Sequence, residues 1–101
     1  MIQAIRKIFG KRTDYKKLVE SGAIIIDVRT PKEYKAGHIK SSINIPLDKI
    51  SGTIAELKKK NKPIITCCRS GARSGMAKST LSVAGLEVYN GGAWNSLIQK
   101  I

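Results

Sequence analysis

The sequence predicts an α/β domain, a parallel sheet of four or five strands with helices on both faces. Two observations carry this. Short β-branched apolar runs that do not alternate, residues 23–28 above all, read as strands buried on both sides. Between such runs lie segments with apolar residues at helical spacing, most of them ended by glycine, so strand and helix alternate. A chain of 101 residues, 42% hydrophobic, is long enough for one domain with one core.

Taken in order, residues 2–9 place Ile2, Ile5, Ile8 and Phe9 on one helical face, with Gly10 as a stop. Together with Arg6, Lys7, Lys11 and Arg12 they set off residues 1–12 as a basic amphipathic segment ahead of a domain at 13–101. Thr13 or Asp14 caps the next helix, whose inner face is Tyr15, Leu18 and Val19, and Gly22 ends it. Residues 23–28 are the first buried strand. Thr30, Pro31 and Glu33 spell a helix start: a cap, a first-turn proline and a capping box. Ile43, Asn44 and Ile45 form a short strand closed by Pro46. Residues 48–60 repeat Ile50, Ile54 and Leu57 at helical spacing, weakened by Gly52. Residues 63–66 are the strand leading to a loop that begins with Cys67 and Cys68. Met76, Ala77, Thr80, Leu81 and Ala84 line the following helix. Residues 86–89 are a last strand, Asn90, Gly91 and Gly92 turn the chain, and Trp94, Leu97, Ile98 and Ile101 mark a closing helix.

Composition excludes several classes. No stretch approaches the roughly 18 apolar residues of a membrane span. Arg6 and Lys7 interrupt the N-terminal apolar run, so no export signal is expected. The two cysteines are adjacent. Their Cα atoms lie about 3.8 Å apart, short of a comfortable disulfide span of about 4.4–6.8 Å. Reduced thiols and a cytoplasmic location follow. The net charge of +12 would attract small anions or an acidic protein partner, while the lysine run at 58–62 reads first as a solvated basic surface. One Phe and one Trp leave little for base stacking, so no nucleic acid is expected. One His and two adjacent Cys are too few for a zinc site.

The loop carries the chemistry. A thiolate forms most readily near cations and at a helix N-terminus. Cys68 has Arg69 and Arg73 beside it and a helix starting just beyond. Ser70, Gly71 and Ala72 are small enough for backbone N–H groups to curl inward as an anion nest, with Ser74 closing it. Cys67, inside the apolar run, reads as core; its sharper alternative is a second thiol that relays sulfur.

These residues resemble the single-domain rhodanese (thiosulfate sulfurtransferase) family. Cys68, Arg69, Gly71, Arg73 and Ser74 match its Cys-Arg-x-Gly-x-Arg-Ser motif. Asp27-Val28-Arg29, Glu33-Tyr34, Gly37-His38-Ile39 and Asn44-Ile45-Pro46 match a second set, and Gly91-Gly92 with Trp94 a third. The resemblance implies a three-layer α/β fold and a persulfide on Cys68. It implies thiosulfate or a similar anionic donor, cyanide or a thiol as acceptor, and no metal or organic cofactor. Many members open with a strand that residues 1–12 do not supply, hence four strands or five. Asp27, Arg29, Glu33, His38 and Trp94 read as structural support: Asp27 at the loop edge, an Arg29–Glu33 ion pair fixing the short helix, His38 fixing a turn, and Trp94 in the core.

Two other functions fit the same residues. A persulfide carrier or interaction module would use the same thiol without turnover, its positive charge docking an acidic partner. A cysteine phosphatase needs five residues between cysteine and arginine. That holds counting from Cys67 to Arg73, but Gly71 then falls one place late. Counted from Cys68 the loop is one residue shorter, which suits a sulfur atom better than a phosphate.

Overall fold

The computed structural model describes residues 12–101. The helix expected over residues 2–9, and most of the segment 1–12, lie outside the described residues. The elements run α1 (Tyr15–Glu20), β1 (Ile24–Asp27), α2 (Pro31–Ala36), β2 (Ile43–Asn44), a 3₁₀ helix (Leu47–Thr53), α3 (Ile54–Lys60), β3 (Ile64–Cys68), α4 (Ala72–Val83), β4 (Val88–Ala93), α5 (Trp94–Leu97) and a last 3₁₀ turn (Ile98–Lys100).

Local signals place the short helices. The Asp14 carboxylate accepts the Lys17 N–H at 3.0 Å and starts α1. At α2 the capping box closes in both directions: Thr30 Oγ1 accepts from Glu33 N–H at 3.2 Å, and Glu33 Oε1 accepts from Thr30 N–H at 3.0 Å.

Among the described residues the sheet has four strands in the order β2-β1-β3-β4, every pair parallel. Successive residues of a strand point to opposite faces. Ile24, Ile26, Val28, Ile64 and Cys68 join one apolar cluster with Ile50, Leu57, Ala77 and Leu81 from the 3₁₀ helix, α3 and α4. Ile25, Ile65 and Cys67 join the other, with Tyr15, Leu18, Val19, Trp94 and Leu97 from α1 and α5. The fold is thus the expected three layers.

Four expectations shift. β3 does not stop at Thr66 but runs through both cysteines, so the loop begins at Arg69, two residues later than expected. Asn90, Gly91 and Gly92 are not a free turn; they lie within β4. The pairing slips there: Thr66 faces Asn90 and Cys68 faces Ala93, so β4 carries one extra residue, a bulge. Gly91 tolerates no side chain at this point, because a Cβ would lie 2.9 Å from Ile65 Cγ2, Leu97 Cδ2 and the Thr66 carbonyl oxygen. The helix expected over residues 48–60 is α-helical only from Ile54, the turns around Gly52 being 3₁₀. On α4 the buried face is Ser74, Ala77 and Leu81, whereas Met76 and Thr80 are exposed.

Candidate active site

Cys68 ends β3 at the carboxyl edge of the sheet, where open parallel sheets expose their loops. Gly71 then adopts a left-handed φ of +100° and serves as the N-cap of the 12-residue α4. That turn aims N–H groups back at the sulfur. Gly71 N lies 3.0 Å and Ser74 N 3.4 Å from Cys68 Sγ, and Ser74 Oγ lies 3.3 Å away. Burial pushes the Cys68 thiol up. The Ser74 hydroxyl and the N–H groups of Ser74, Gly71 and Ser70 outweigh that and bring it below the ordinary thiol value.

The Ser74 hydroxyl has a single proton and two claimants. It donates to Asn90 Oδ1 at 2.7 Å, so a protonated Cys68 would donate its S–H to Ser74 Oγ. When Cys68 ionises, that hydroxyl can turn to the sulfur while Asn90 Oδ1 keeps the Gly92 N–H at 3.0 Å. The backbone donors need no such exchange and are the constant part of the cradle.

Behind the loop stands a bracket that the residue pattern did not disclose. Asn90 Nδ2 donates to the Gly71 carbonyl at 3.1 Å, and Thr66 Oγ1 donates to the Ser74 carbonyl at 2.9 Å. Tyr15 holds the Asn90 carbonyl from α1 at 2.9 Å. An asparagine inside a strand is a poor β former, and that is the signal that could have marked Asn90.

The remaining site candidates divide sharply. Arg73 is bound to Glu33 through two hydrogen bonds of 2.7 and 3.0 Å, a bidentate pair reaching across 40 residues of sequence. The Arg73 guanidinium holds the Glu33 carboxyl down at about 2. The expected Arg29–Glu33 ion pair is therefore replaced. Arg29 instead pairs with buried Asp27 at 2.7 Å, and its guanidinium also donates to the Gly37 carbonyl at 2.7 Å and the Glu33 carbonyl at 3.3 Å. Its charge lies 4.9 Å from the ring centroid of half-buried Trp94. The Asp27 carboxylate is thus taken up by Arg29 and forms no hydrogen bond to the Cys68 loop. His38 stacks on Tyr34 with ring centroids 3.7 Å apart, and its Nδ1 lies 2.6 Å from the Tyr34 carbonyl, so its contacts are with α2. Arg69, Ser70 and Ala72 are exposed, and Arg69 forms no ion pair with any described residue.

Cys67 presents the opposite case. Its side chain enters the other face of the sheet, among Ile25, Ile39, Ile65 and Leu97. Burial, with the Asp27 charge adding to it, pushes its thiol up to about 12 despite Arg29 nearby.

Against known families, the rhodanese-like domain model matches residues 11–95. The chain belongs to that family. Uncharacterized protein YqhL of Bacillus subtilis is 39% identical over 80 residues, which cover 78% of this chain and 59% of YqhL. Thiosulfate sulfurtransferase PspE of Escherichia coli is 41% identical over 61 residues, 59% of each protein. The match thus spans about three fifths of either curated relative. Among solved structures, a rhodanese with anions from E. coli superposes with a TM-score of 0.67 at 37% identity, covering 73% of this chain and 89% of its own. A rhodanese-related protein from Thermoplasma volcanium reaches 0.70 at 29% identity, covering 88% and 91%. Among the described residues of this rhodanese-like domain, no helix is long and apolar enough to cross a membrane, and no cluster of three or more His, Cys, Asp or Glu could hold a metal ion.

Proposed function

We propose that this rhodanese-like domain is a sulfurtransferase that moves a sulfane sulfur through a persulfide on Cys68. The carrying observation is the ring of N–H and O–H donors around one sulfur atom, Cys68 Sγ. In the first step the Cys68 thiolate attacks the outer sulfur of thiosulfate. The S–S bond of thiosulfate breaks, its electron pair leaves with sulfite, and Cys68 keeps the sulfur as a persulfide. In the second step an acceptor, cyanide or a thiolate, attacks that outer sulfur and the Cys68 thiolate is released. Each step is a displacement at sulfur, and the exchange of one hard step for two easier ones is ordinary nucleophilic catalysis. The loop donors stabilise the sulfur-centred anion at both ends of the cycle. Arg69, exposed and unpaired among the described residues, is the cation offered to the oxyanion of the donor. Relatives named thiosulfate sulfurtransferase support the choice of donor.

The proposed reaction uses residues 13–101, with 1–12 outside it. The two free thiols favour a reducing, cytoplasmic setting. The net charge of +12 favours acidic protein partners. A second reading, sulfur carriage without turnover, draws on a 38% identity over 63 residues to the putative sulfur carrier protein YrkF of B. subtilis. A phosphatase is disfavoured by Arg73, which is engaged with Glu33 when a phosphate clamp would need it turned into the loop.

Intact mass after thiosulfate treatment tests this. One added sulfur, absent in Cys68→Ala and lost on adding cyanide with release of thiocyanate, is expected. Persulfide that cyanide does not discharge but a protein thiol does would select the carrier. Hydrolysis of an aryl phosphate with no sulfur added would overturn the proposal.

A further inference from the structure

A cleft of about 290 Å³ opens beside the Cys68 loop, lined by Val28, Thr30, Pro46, Leu47, Asp48 and Arg73. Its volume falls at the lower end of small-molecule pockets, roughly 300–1,000 Å³. Its lining adjoins the surroundings of the thiol without including Cys68 itself. Val28 lies in the same apolar cluster as Cys68, Leu47 packs on that cluster, and Arg73 directly precedes Ser74, which donates to Sγ. Leu47 is fixed there by its N–H on the Val28 carbonyl at 3.0 Å.

The charges of this flank differ from those of Arg69. Arg73 is neutralised by its two bonds to Glu33. Asp48 is exposed and has no cationic partner among the described residues. The cleft therefore offers apolar walls and one free carboxylate, which is wrong for an oxyanion and right for a compact carbon body without negative charge. Resting on the persulfide reading, we propose that this cleft receives the sulfur acceptor, and that the acceptor is a small neutral or cationic alkyl thiol. The donor would approach from the Arg69 side and the acceptor from the Leu47 side of one loop. The transfer balances without any added oxidant. The acceptor thiolate forms a bond to the outer sulfur of the Cys68 persulfide, the Cys68 S–S bond breaks, and its electron pair stays on Cys68 as thiolate. The product is an alkyl persulfide.

The test uses the full chain, loaded with thiosulfate and freed of excess donor. Single-turnover discharge is measured with cysteamine, 2-mercaptoethanol and 3-mercaptopropionate, each rate constant corrected for its thiolate fraction. Cysteamine and 2-mercaptoethanol should outpace 3-mercaptopropionate in the parent protein. Asp48→Lys, a change at an exposed position, should move the cysteamine to mercaptopropionate ratio about three- to tenfold toward the anion. Leu47→Ala should slow the thiols that carry a carbon body more than it slows hydrogen sulfide. Reading ratios within each variant cancels any general change in loop reactivity. A loaded persulfide whose ratios are unmoved by both substitutions overturns the acceptor cleft alone. Failure to load sulfur at all would instead overturn the persulfide reading on which it rests.

Discussion

Cys67 and Cys68 are neighbours in sequence, both wholly hidden from solvent, and they face opposite layers of the fold. Exposure does not distinguish them. What differs is the supply of hydrogen-bond donors. Cys67 enters a layer of Ile, Leu and aromatic side chains, where no hydrogen-bond donor among the described residues meets the sulfur and burial pushes the thiol up to about 12 despite the Arg29 charge. Cys68 enters the layer that contains the start of α4, where two backbone N–H groups and a hydroxyl lie within 3.4 Å of it. The single-residue step of a β-strand thus separates an inert core sulfur from a candidate nucleophile. Reactivity here is set by which face of the sheet carries the helix N-terminus.

The most severe way to break this comparison is to remove each sulfur in turn. Cys68→Ala should lower thiosulfate-to-cyanide turnover by at least about 10³-fold, the scale of losing a covalent nucleophile. Cys67→Ala should keep most of the turnover and lose about 1 kcal/mol of stability from a small cavity. Alkylation adds a direct view of the two thiols. The rate with iodoacetamide should rise with pH through a Cys68 value below that of an ordinary thiol, and Cys67 should remain protonated until about pH 12. A Cys67→Ala protein that loses turnover with Cys68 still able to take up sulfur would revive the relay thiol.

The same contrast repeats one strand away, at Asn90 and Gly91. Asn90 serves the Cys68 face: it receives the Ser74 hydroxyl and donates to the Gly71 carbonyl. Asn90→Ala removes both of these bonds and the one from the Gly92 N–H, and leaves the loop without its rear support. Turnover should fall roughly tenfold, and the Cys68 alkylation profile should move to higher pH because the loop N–H groups are less well held. Gly91 touches the other face, against Ile65 and Leu97. Gly91→Ala should cost about 1–3 kcal/mol by overpacking, read as a lower thermal midpoint, with the Cys68 profile shifted less than in Asn90→Ala. Equal shifts in the two variants would mean that the bulge, not the Asn90 side chain, positions the loop.

These neighbours also show how far the sequence could be read. The strands and their parallel direction are legible because unbroken runs such as Ile24-Ile25-Ile26 admit few alternatives, and Thr30, Pro31 and Glu33 spell their helix start within four residues, whereas the order β2-β1-β3-β4 comes from the structure alone. The motif around Cys68 was legible for the same reason, being contiguous. What was not legible depended on contacts between distant segments. Glu33 had two arginines within reach of argument, Arg29 nearby and Arg73 far along the chain, and sequence proximity favoured the wrong one. The short Arg29 connection is taken by Asp27, two residues away, whose position at the end of β1 buries it against the guanidinium. Asn-Gly-Gly is turn chemistry, which hides Asn90 as a strand residue, and the bulge against β3 is what accommodates those residues in the sheet.

The smallest effect concerns that corrected pair. The Glu33 carboxylate does two tasks: it completes the capping box of α2, and it holds Arg73 at the margin of the Cys68 loop. Glu33→Gln separates them, since a glutamine side-chain oxygen can still accept the Thr30 N–H but carries no charge for Arg73. The carboxyl sits at about 2 in the folded chain, below its ordinary value of 4.5, chiefly through its hydrogen bonds to Arg73. A depressed carboxylate stabilises the fold fully above its unfolded value, and that contribution is lost as pH falls from about 4.5 through about 2. Because the pair is about one-third exposed, solvent screening keeps the gain small. Glu33→Gln should therefore lower the thermal midpoint at neutral pH by about 1–6 °C, and the difference from the parent should narrow as the pH approaches 2. In the same variant Arg73 is released from its carboxylate, and the flank gains a positive charge beside Asp48. If Arg73 is excluded from anion binding only by Glu33, the KM for thiosulfate should fall in Glu33→Gln while the Cys68 alkylation profile stays put. An unchanged KM, measured with the thermal difference present, would leave Arg69 as the sole cation serving the donor and would make the asymmetry between the two flanks of the loop intrinsic to the backbone.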